Sequence, residues 1–354
     1  MKWFVPRFSR LNYRASFRWK TVLVLGSLFV GTAACLRAAT TSDIKFTHQN
    51  EDLSDAVFYQ RVAERVEAGE NYYEVAKQTL PAHGFETGST FNWRTPLYAH
   101  ILGKFGQPVA RQVTLAVLSL IAAIMAARMI TRDLGPIWGV IAGLVVFGAS
   151  GWWLQAEPPW FTETWGGQLI LLTIAARSLG WFRVGLIAGS LALFLRELAL
   201  PFVVLCLGDA WQRRRWTEAL SWSLCLALYG LFFLYHDAQV TLHQNPDVRF
   251  RPDRPSWIDF GGLSFLLATV RMNYLLSYLP IWCTAFYLPL AVFGLVSLAA
   301  TNHDTRWTLL GFSGYLIAFL AVGKGYNHYW GWITAPTLAL GFAVAPVFLS
   351  RVVR

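Results

Sequence analysis

Residues 182–215 read FRVGLIAGSLALFLRELALPFVVLCLGDAWQRRR, and the number of times this stretch crosses a membrane decides the fold. A single helix over 184–208 would be long enough to cross once, since roughly 20 apolar residues suffice. Charge argues for a different path. Arg177 and Arg183 lie at one end of the stretch and Arg213, Arg214 and Arg215 at the other, and all five have the sign that stays on the cytoplasmic side. One crossing would put the triple arginine outside. Two half-depth helices, over 182–194 and 198–208, meet at Arg196-Glu197 and return the chain to the cytoplasm. Such a break is tolerated only where it is buried in protein or lines a polar cavity.

The rest of the chain has the same character. Of its 354 residues 55% are hydrophobic and only 14% are Asp, Glu, Lys or Arg, against about 25% in a soluble domain. Uncharged runs such as 113–127 and 281–300 alternate with short charged joints, which excludes a soluble globular protein. The formal charge of +10 sits at termini and joints: Lys2, Arg7, Arg10, Arg14, Arg18 and Lys20, then 213–215, then Arg351 and Arg354. That distribution fits a membrane surface and its lipids, not nucleic acid. Cys35, Cys206, Cys225 and Cys283 all fall in apolar runs without ligand spacing, as small packing residues do.

The fold class expected is an all-α polytopic membrane protein, a single membrane domain over 1–354 with about ten hydrophobic segments. Residues 1–20 form a basic cytoplasmic segment, and 21–36 an uncleaved anchor. Further segments fall at 110–129, 136–154, 164–176, 182–194, 198–208, 216–235, 277–296, 308–322 and 331–349. Both termini are then cytoplasmic, in a plasma (inner) membrane. Residues 40–107 form a first external loop and 236–276 a second, in which 257–269 reads as an interfacial helix. The first loop holds nine of the twenty acidic side chains. Within it, 55–69 (DAVFYQRVAERVEAG) is amphipathic: Phe58, Val62 and Val66 recur every four residues, with Arg61, Glu64 and Arg65 opposite. Ser54 is a suitable cap, and Asp55 falls in the first turn, where free N–H groups favour a carboxylate. The tryptophans at the joints, including Trp152, Trp153, Trp160, Trp165, Trp330 and Trp332, read mostly as an interfacial belt.

Ionisable groups at membrane depth are costly, so each asks for a partner or a purpose. The external set is Asp55, Arg94, Glu157, Glu163, Arg196, Glu197, Arg271, Lys324 and His328, and the cytoplasmic joints hold little besides Arg, Asp and turn residues. Carboxylates in this set can take a proton or a cation, and the arginines can grip phosphate through two donors at once. The stretch GKGYNHYWGW (323–332) gathers Lys324, Tyr326, His328 and Tyr329, with glycines that allow close approach to a ligand. Each has a bland reading too: Asp55 as a helix cap, Glu157 or Glu163 as another, Arg196-Glu197 as a pair that merely steadies the break.

The order of these features resembles the C-type superfamily of membrane glycosyltransferases, which use polyprenyl-phosphate-linked sugars. The resemblance rests on a first span, an external Asp55 with Tyr59 four residues on, Ala63 and Gly69 in an amphipathic helix, an aromatic-to-Pro stretch over 91–97, and a short helix pair broken at Arg196. It covers mainly residues 20–200, and the large external carboxy-terminal domain of better-known members is missing. It implies Asp55 as catalytic carboxylate, Glu157 or Glu163 as a second one, and Arg94, Arg196, Lys324 and His328 around the donor phosphate. Tyr59, Glu197, Arg271 and Tyr326 would line the substrate. Mg²⁺ or Mn²⁺ on Asp55 and Glu157 is the cofactor it allows. The partners implied are a polyprenyl-phosphate sugar and a lipid, glycan or protein acceptor, with a second protein able to supply acceptor recognition. A noncatalytic subunit of an envelope assembly, or a lipid or solute transporter, is the competing reading.

Overall fold

A computed structural model describes residues 9–41, 55–245, 260–304, 306–323 and 325–353. Ser54, Lys2, Arg7, Arg249, Arg251, Arg254, Lys324 and the start of the 257–269 helix lie outside the described residues, as does the side chain of Tyr326. The described chain is helical throughout. Five helices are long and apolar enough to cross a membrane: Thr21–Thr40 within α1 (Ser9–Thr41), α6 (Pro108–Leu134), α11 (Trp216–His243), α14 (Ile281–Thr301) and α16 (Ala335–Val353). Shorter apolar helices are α7 (Pro136–Ala149), α9 (Phe182–Leu195) and α15 (Arg306–Ala321). With length and composition of this kind, the chain is an integral membrane protein.

At the centre stands α8 (Thr162–Ser178), all 17 of whose residues are buried. It runs longer at both ends than the 164–176 expected from hydropathy, because its polar ends are buried against other helices instead of reaching water. It packs on α6, α9, α16 and the tight helical turn Gly325–Ile333. Helices in lipid gain nothing from hydrophobic exclusion against one another, so close backbone approach must hold them. Between α14 and α16 a Cβ added to Gly294 would overlap the Gly341 carbonyl.

The stretch 182–215 folds as two helices, α9 and α10 (Leu200–Gln212), joined by a single turn at Glu197–Ala199. Each is about 20 Å long, short of the roughly 30 Å hydrocarbon core. Ion pairs show where their ends lie. Arg196, closing α9, meets Glu163 at the start of α8. Arg177 near the end of α8 meets Asp209 near the end of α10 and Glu218 at the start of α11. The chain therefore goes to one end of the bundle at Arg196 and comes back. Thr21 donates to the Val352 carbonyl, so the entrance of the anchor helix and the carboxy-terminal end of α16 also lie together.

Several expectations need correcting. α11 continues through His236 to His243, so the loop expected from 236 begins later. Trp160, Trp165, Trp330 and Trp332 are buried inside the bundle and form no surface belt. α12 (Gly262–Val270) is buried from Phe265 on, packed under Gly325–Ile333, so its described part does not float at an interface. Gly323 and Gly331 approach Phe265 and the Thr269 carbonyl, which is helix packing and not ligand contact. The end of the bundle opposite Asp55 is also not chemically bare. Arg177, Asp209 and Glu218 are buried there, and Asp209 additionally accepts from Arg213 and Arg215 at 2.7 Å.

Candidate functional site

α2 (Asp55–Glu67) is the expected amphipathic helix, and its apolar stripe lies on protein. Phe58, Val62, Ala63 and Val66 are buried against α5 (Leu97–Gly103) and α3 (Tyr72–Ala82). Each fully buried large apolar side chain here contributes about 1.5–3 kcal/mol, because α2 lies outside the spans, where water is the competing solvent. Burial of that stripe fixes the rotation of the helix. Asp55 and Tyr59, one turn apart, consequently share a face.

Arg94 meets them from the following segment. Its backbone is strained, with φ 60° and ψ 168°, a region that only glycine occupies at ease. The neighbours impose it. The Tyr72 hydroxyl donates to the Trp93 and Arg94 carbonyls, the Trp93 indole donates to Thr87 O at 2.9 Å, and Thr95 Oγ1 donates to Phe194 O at 2.9 Å. Tyr72 is itself set by α3, whose cap Asn71 accepts from Tyr73 N at 2.9 Å. With its main chain held, Arg94 spreads its guanidinium over the site. Nε donates to Tyr59 Oη at 2.9 Å, Nη2 to Tyr329 Oη at 3.1 Å and Nη1 to Phe91 O at 3.1 Å, with Glu197 3.6 Å from Nη1.

Tyr329 completes the arrangement, its hydroxyl set against Asp55 where it favours the ionised carboxylate. Burial pushes the Asp55 carboxyl above the usual carboxylate range, and the Arg94 charge and Tyr329 hydroxyl only partly oppose this. Burial likewise pushes the Tyr59 phenol up to about 12, so it stays a neutral hydroxyl. Behind these groups lie Glu163 and Arg196, each 1% exposed. Arg196 Nε is 2.8 Å from Glu163 Oε1, close enough for an ion pair but out of line for a hydrogen bond. Arg196 also contacts Glu197 through Nη1. Phe161 floors the site, its ring 5.4 Å from Tyr59, 5.1 Å from Tyr329 and 4.9 Å from Trp332.

The structure thus gathers Asp55, Tyr59, Arg94, Glu163, Arg196 and Glu197 from four separate stretches of sequence. Glu157 is left outside, exposed beside the Pro158–Trp160 turn. Arg271 ends α12 with Nη2 3.4 Å from Ser277 O and touches none of these groups. His328 packs its ring beside Tyr329, 6.4 Å away. Tyr72 and Phe161 are the part the sequence does not mark, and Tyr329 is marked only as one of several polar side chains. One signal was present, since Tyr329 lies in the polar stretch 323–332, but nothing local says which of its side chains turns inward.

Of the two carboxylates expected to hold a cation, Asp55 faces Arg94 and Tyr329, and Glu157 is exposed beside the Pro158–Trp160 turn. Among the described residues no three His, Cys, Asp or Glu stand together as metal ligands. The carboxylates closest to Asp55 already face guanidinium groups. Chemically, the arrangement offers a half-buried base of raised basicity beside an arginine that reaches two phenol hydroxyls and the Phe91 carbonyl, with Glu197 3.6 Å away.

No protein-family model and no curated protein matches the sequence. Among solved structures the chain is similar to ArnT from Cupriavidus metallidurans in the apo state, with TM-score 0.47, 16% identity, and coverage of 94% of this chain and 60% of that one. It is also similar to the same protein bound to undecaprenyl phosphate, with TM-score 0.49, 14% identity, and coverage of 96% and 60%. The chain spans about 60% of the length of those structures.

Proposed function

We propose that this chain transfers a sugar from a polyprenyl-phosphate-linked donor to an acceptor at the external membrane face, with inversion at the anomeric carbon. The observation that carries the reading is the half-buried Asp55 carboxylate, set against Tyr329 and the Arg94 that bonds it, at one end of a membrane bundle. A base of this kind takes the proton of an acceptor hydroxyl or amine as that group attacks the anomeric carbon. The bond between that carbon and the phosphate oxygen breaks, and its electron pair leaves with the lipid phosphate. Arg94 is the group suited to receive that charge. Two of its donors rest on the neutral Tyr59 and Tyr329 hydroxyls, which phosphate oxygens can displace, while Nη1 stays on Phe91 O with Glu197 3.6 Å away, and a site shielded from water strengthens the interaction. Arg196 is already matched by Glu163 and Glu197. In this reading it braces the helix break and keeps Glu197 near Arg94, while Glu163 serves it as counter-charge. Lys324 and His328 remain candidates for the phosphate, and Tyr59 and Glu197 for the substrate wall.

The test is transfer in vitro from a panel of polyprenyl-phosphate sugars by the wild-type chain and by Asp55→Asn. The expected result is loss of turnover in the variant with donor binding retained. Unchanged transfer by Asp55→Asn would remove the base from the mechanism. The buried charges at the other end of the bundle do not favour a transporter, because Arg177, Asp209 and Glu218 are closed on one another by ion pairs.

A further inference from the structure

Behind the aromatic floor lies a cavity of about 10 Å³ between α6, α7, α8 and the lead-in to α16, lined by Leu115, Ser150, Thr164, Gln168, Trp332 and Pro336 among others. That is room for about one water molecule. Its walls are polar in a complementary way. Gln168 Oε1, an acceptor, and Trp332 Nε1, a donor, are both buried without a hydrogen-bond partner. Gln168 is 4% and Trp332 8% exposed, so bulk water does not serve them. Ser150 Oγ and Thr164 Oγ1 spend their protons on the Val146 and Phe161 carbonyls, which leaves their lone pairs free to accept. Native interiors rarely leave such groups unmatched.

We propose that Gln168 and Trp332 hold one buried water molecule, and that Gln168 thereby acts as a positioning residue for the Asp55 site. The water accepts from the Trp332 indole N–H and donates to Gln168 Oε1. Its second proton goes to Ser150 or Thr164. Three hydrogen bonds are the usual complement of a buried water. The link to the site runs through rings in contact. Trp332 packs on Phe161 at 4.9 Å and on Trp152 at 5.5 Å, and Phe161 packs on both Tyr59 and Tyr329. Fixing the tilt of Trp332 fixes Phe161, and with it the two hydroxyls that hold Asp55 and Arg94. This functional half rests on the Asp55 reading, whereas the water site does not.

The experiment is proton–nitrogen NMR of the full chain in detergent micelles, with the Trp332 indole resonance assigned by its loss in Trp332→Phe. Wild-type protein should show a water cross-peak at that indole proton, and Gln168→Met, similar in length but lacking the acceptor, should lose it. Ala149→Val fills the cavity from α7 without touching Gln168 and should remove the same cross-peak, so misfolding of one variant does not decide the matter. A wild-type indole with no water cross-peak, or one unchanged in both variants, overturns the water site. For the positioning role, Gln168→Met should lower kcat of sugar transfer about tenfold with donor KM unchanged, since geometry at the base is what changes. An unchanged kcat, or a shift in KM alone, overturns that role. If wild-type protein transfers no sugar from any polyprenyl-phosphate donor, the Asp55 reading and the positioning role fall together, and the cross-peak still decides the water.

Discussion

At the scale of single residues, the site is a balance between burial and charge. Asp55 is raised by desolvation and pulled back by Arg94 and by the Tyr329 hydroxyl. The sign of its effect on stability follows. A carboxyl with a folded-state pKa above its unfolded value binds more protons in the native state, so stability falls as pH rises from the unfolded value through the folded one. Asp55→Asn, which removes the desolvated charge, should therefore melt higher than wild type at neutral pH while losing transfer, read by thermal unfolding beside turnover. Active sites commonly hold such a trade of stability for chemistry. Tyr329→Phe removes one of the two main interactions that favour the ionised form. The acid limb of its pH–rate profile should move to higher pH, and an unmoved or lowered limb would show that Tyr329 does not act on the base. Position 94 stores strain of a different kind, since its φ of 60° suits glycine. Arg94→Gly should relax the backbone yet abolish transfer, because the three donated hydrogen bonds go with the side chain.

At the scale of elements, the broken pair α9–α10 depends on closure at both ends. Its tip is closed by Arg196 with Glu163 and Glu197, and its base by Arg177 and Asp209. The base is the more demanding of the two. Asp209 has a fully buried side chain and accepts from Arg177, Arg213 and Arg215, each at 2.7 Å. Asp209→Asn leaves Arg177 and Arg215 with Glu218 and Arg213 with Asp304 as their remaining acids and should cost about 3–5 kcal/mol, the range for stripping one partner from a buried pair. Arg213→Gln removes a charge whose side chain is 24% exposed and should cost no more than about 1 kcal/mol. Unfolding of both variants in the same detergent tests the contrast, and equal losses would mean that the network is no lock.

At the scale of the whole molecule, two polar clusters mark the two ends of the bundle, with Asp55 at one and the Arg213–Arg215 run at the other. Cysteine labelling in intact cells should reach Gln107→Cys, at the exposed start of α6, and should reach Gln212→Cys only after permeabilisation. Labelling of residue 212 from outside would reverse the path inferred for α9 and α10. Much of this path is legible without coordinates. Apolar length and arginine placement give the helices and the break at Arg196, because hydrocarbon rejects unpaired backbone and charge wherever they occur in a chain. The four-residue recurrence in 55–69 likewise gives α2 and the shared face of Asp55 and Tyr59. Which side chains meet is another matter. Hydropathy does not distinguish a tryptophan at a lipid headgroup from Trp332 buried behind Phe161, or the exposed Glu157 from Glu163, six residues on and sealed against Arg196. Those outcomes depend on how helices far apart in sequence rotate and approach. That is set by packing of small residues and by long-range ion pairs, and no local pattern encodes either one.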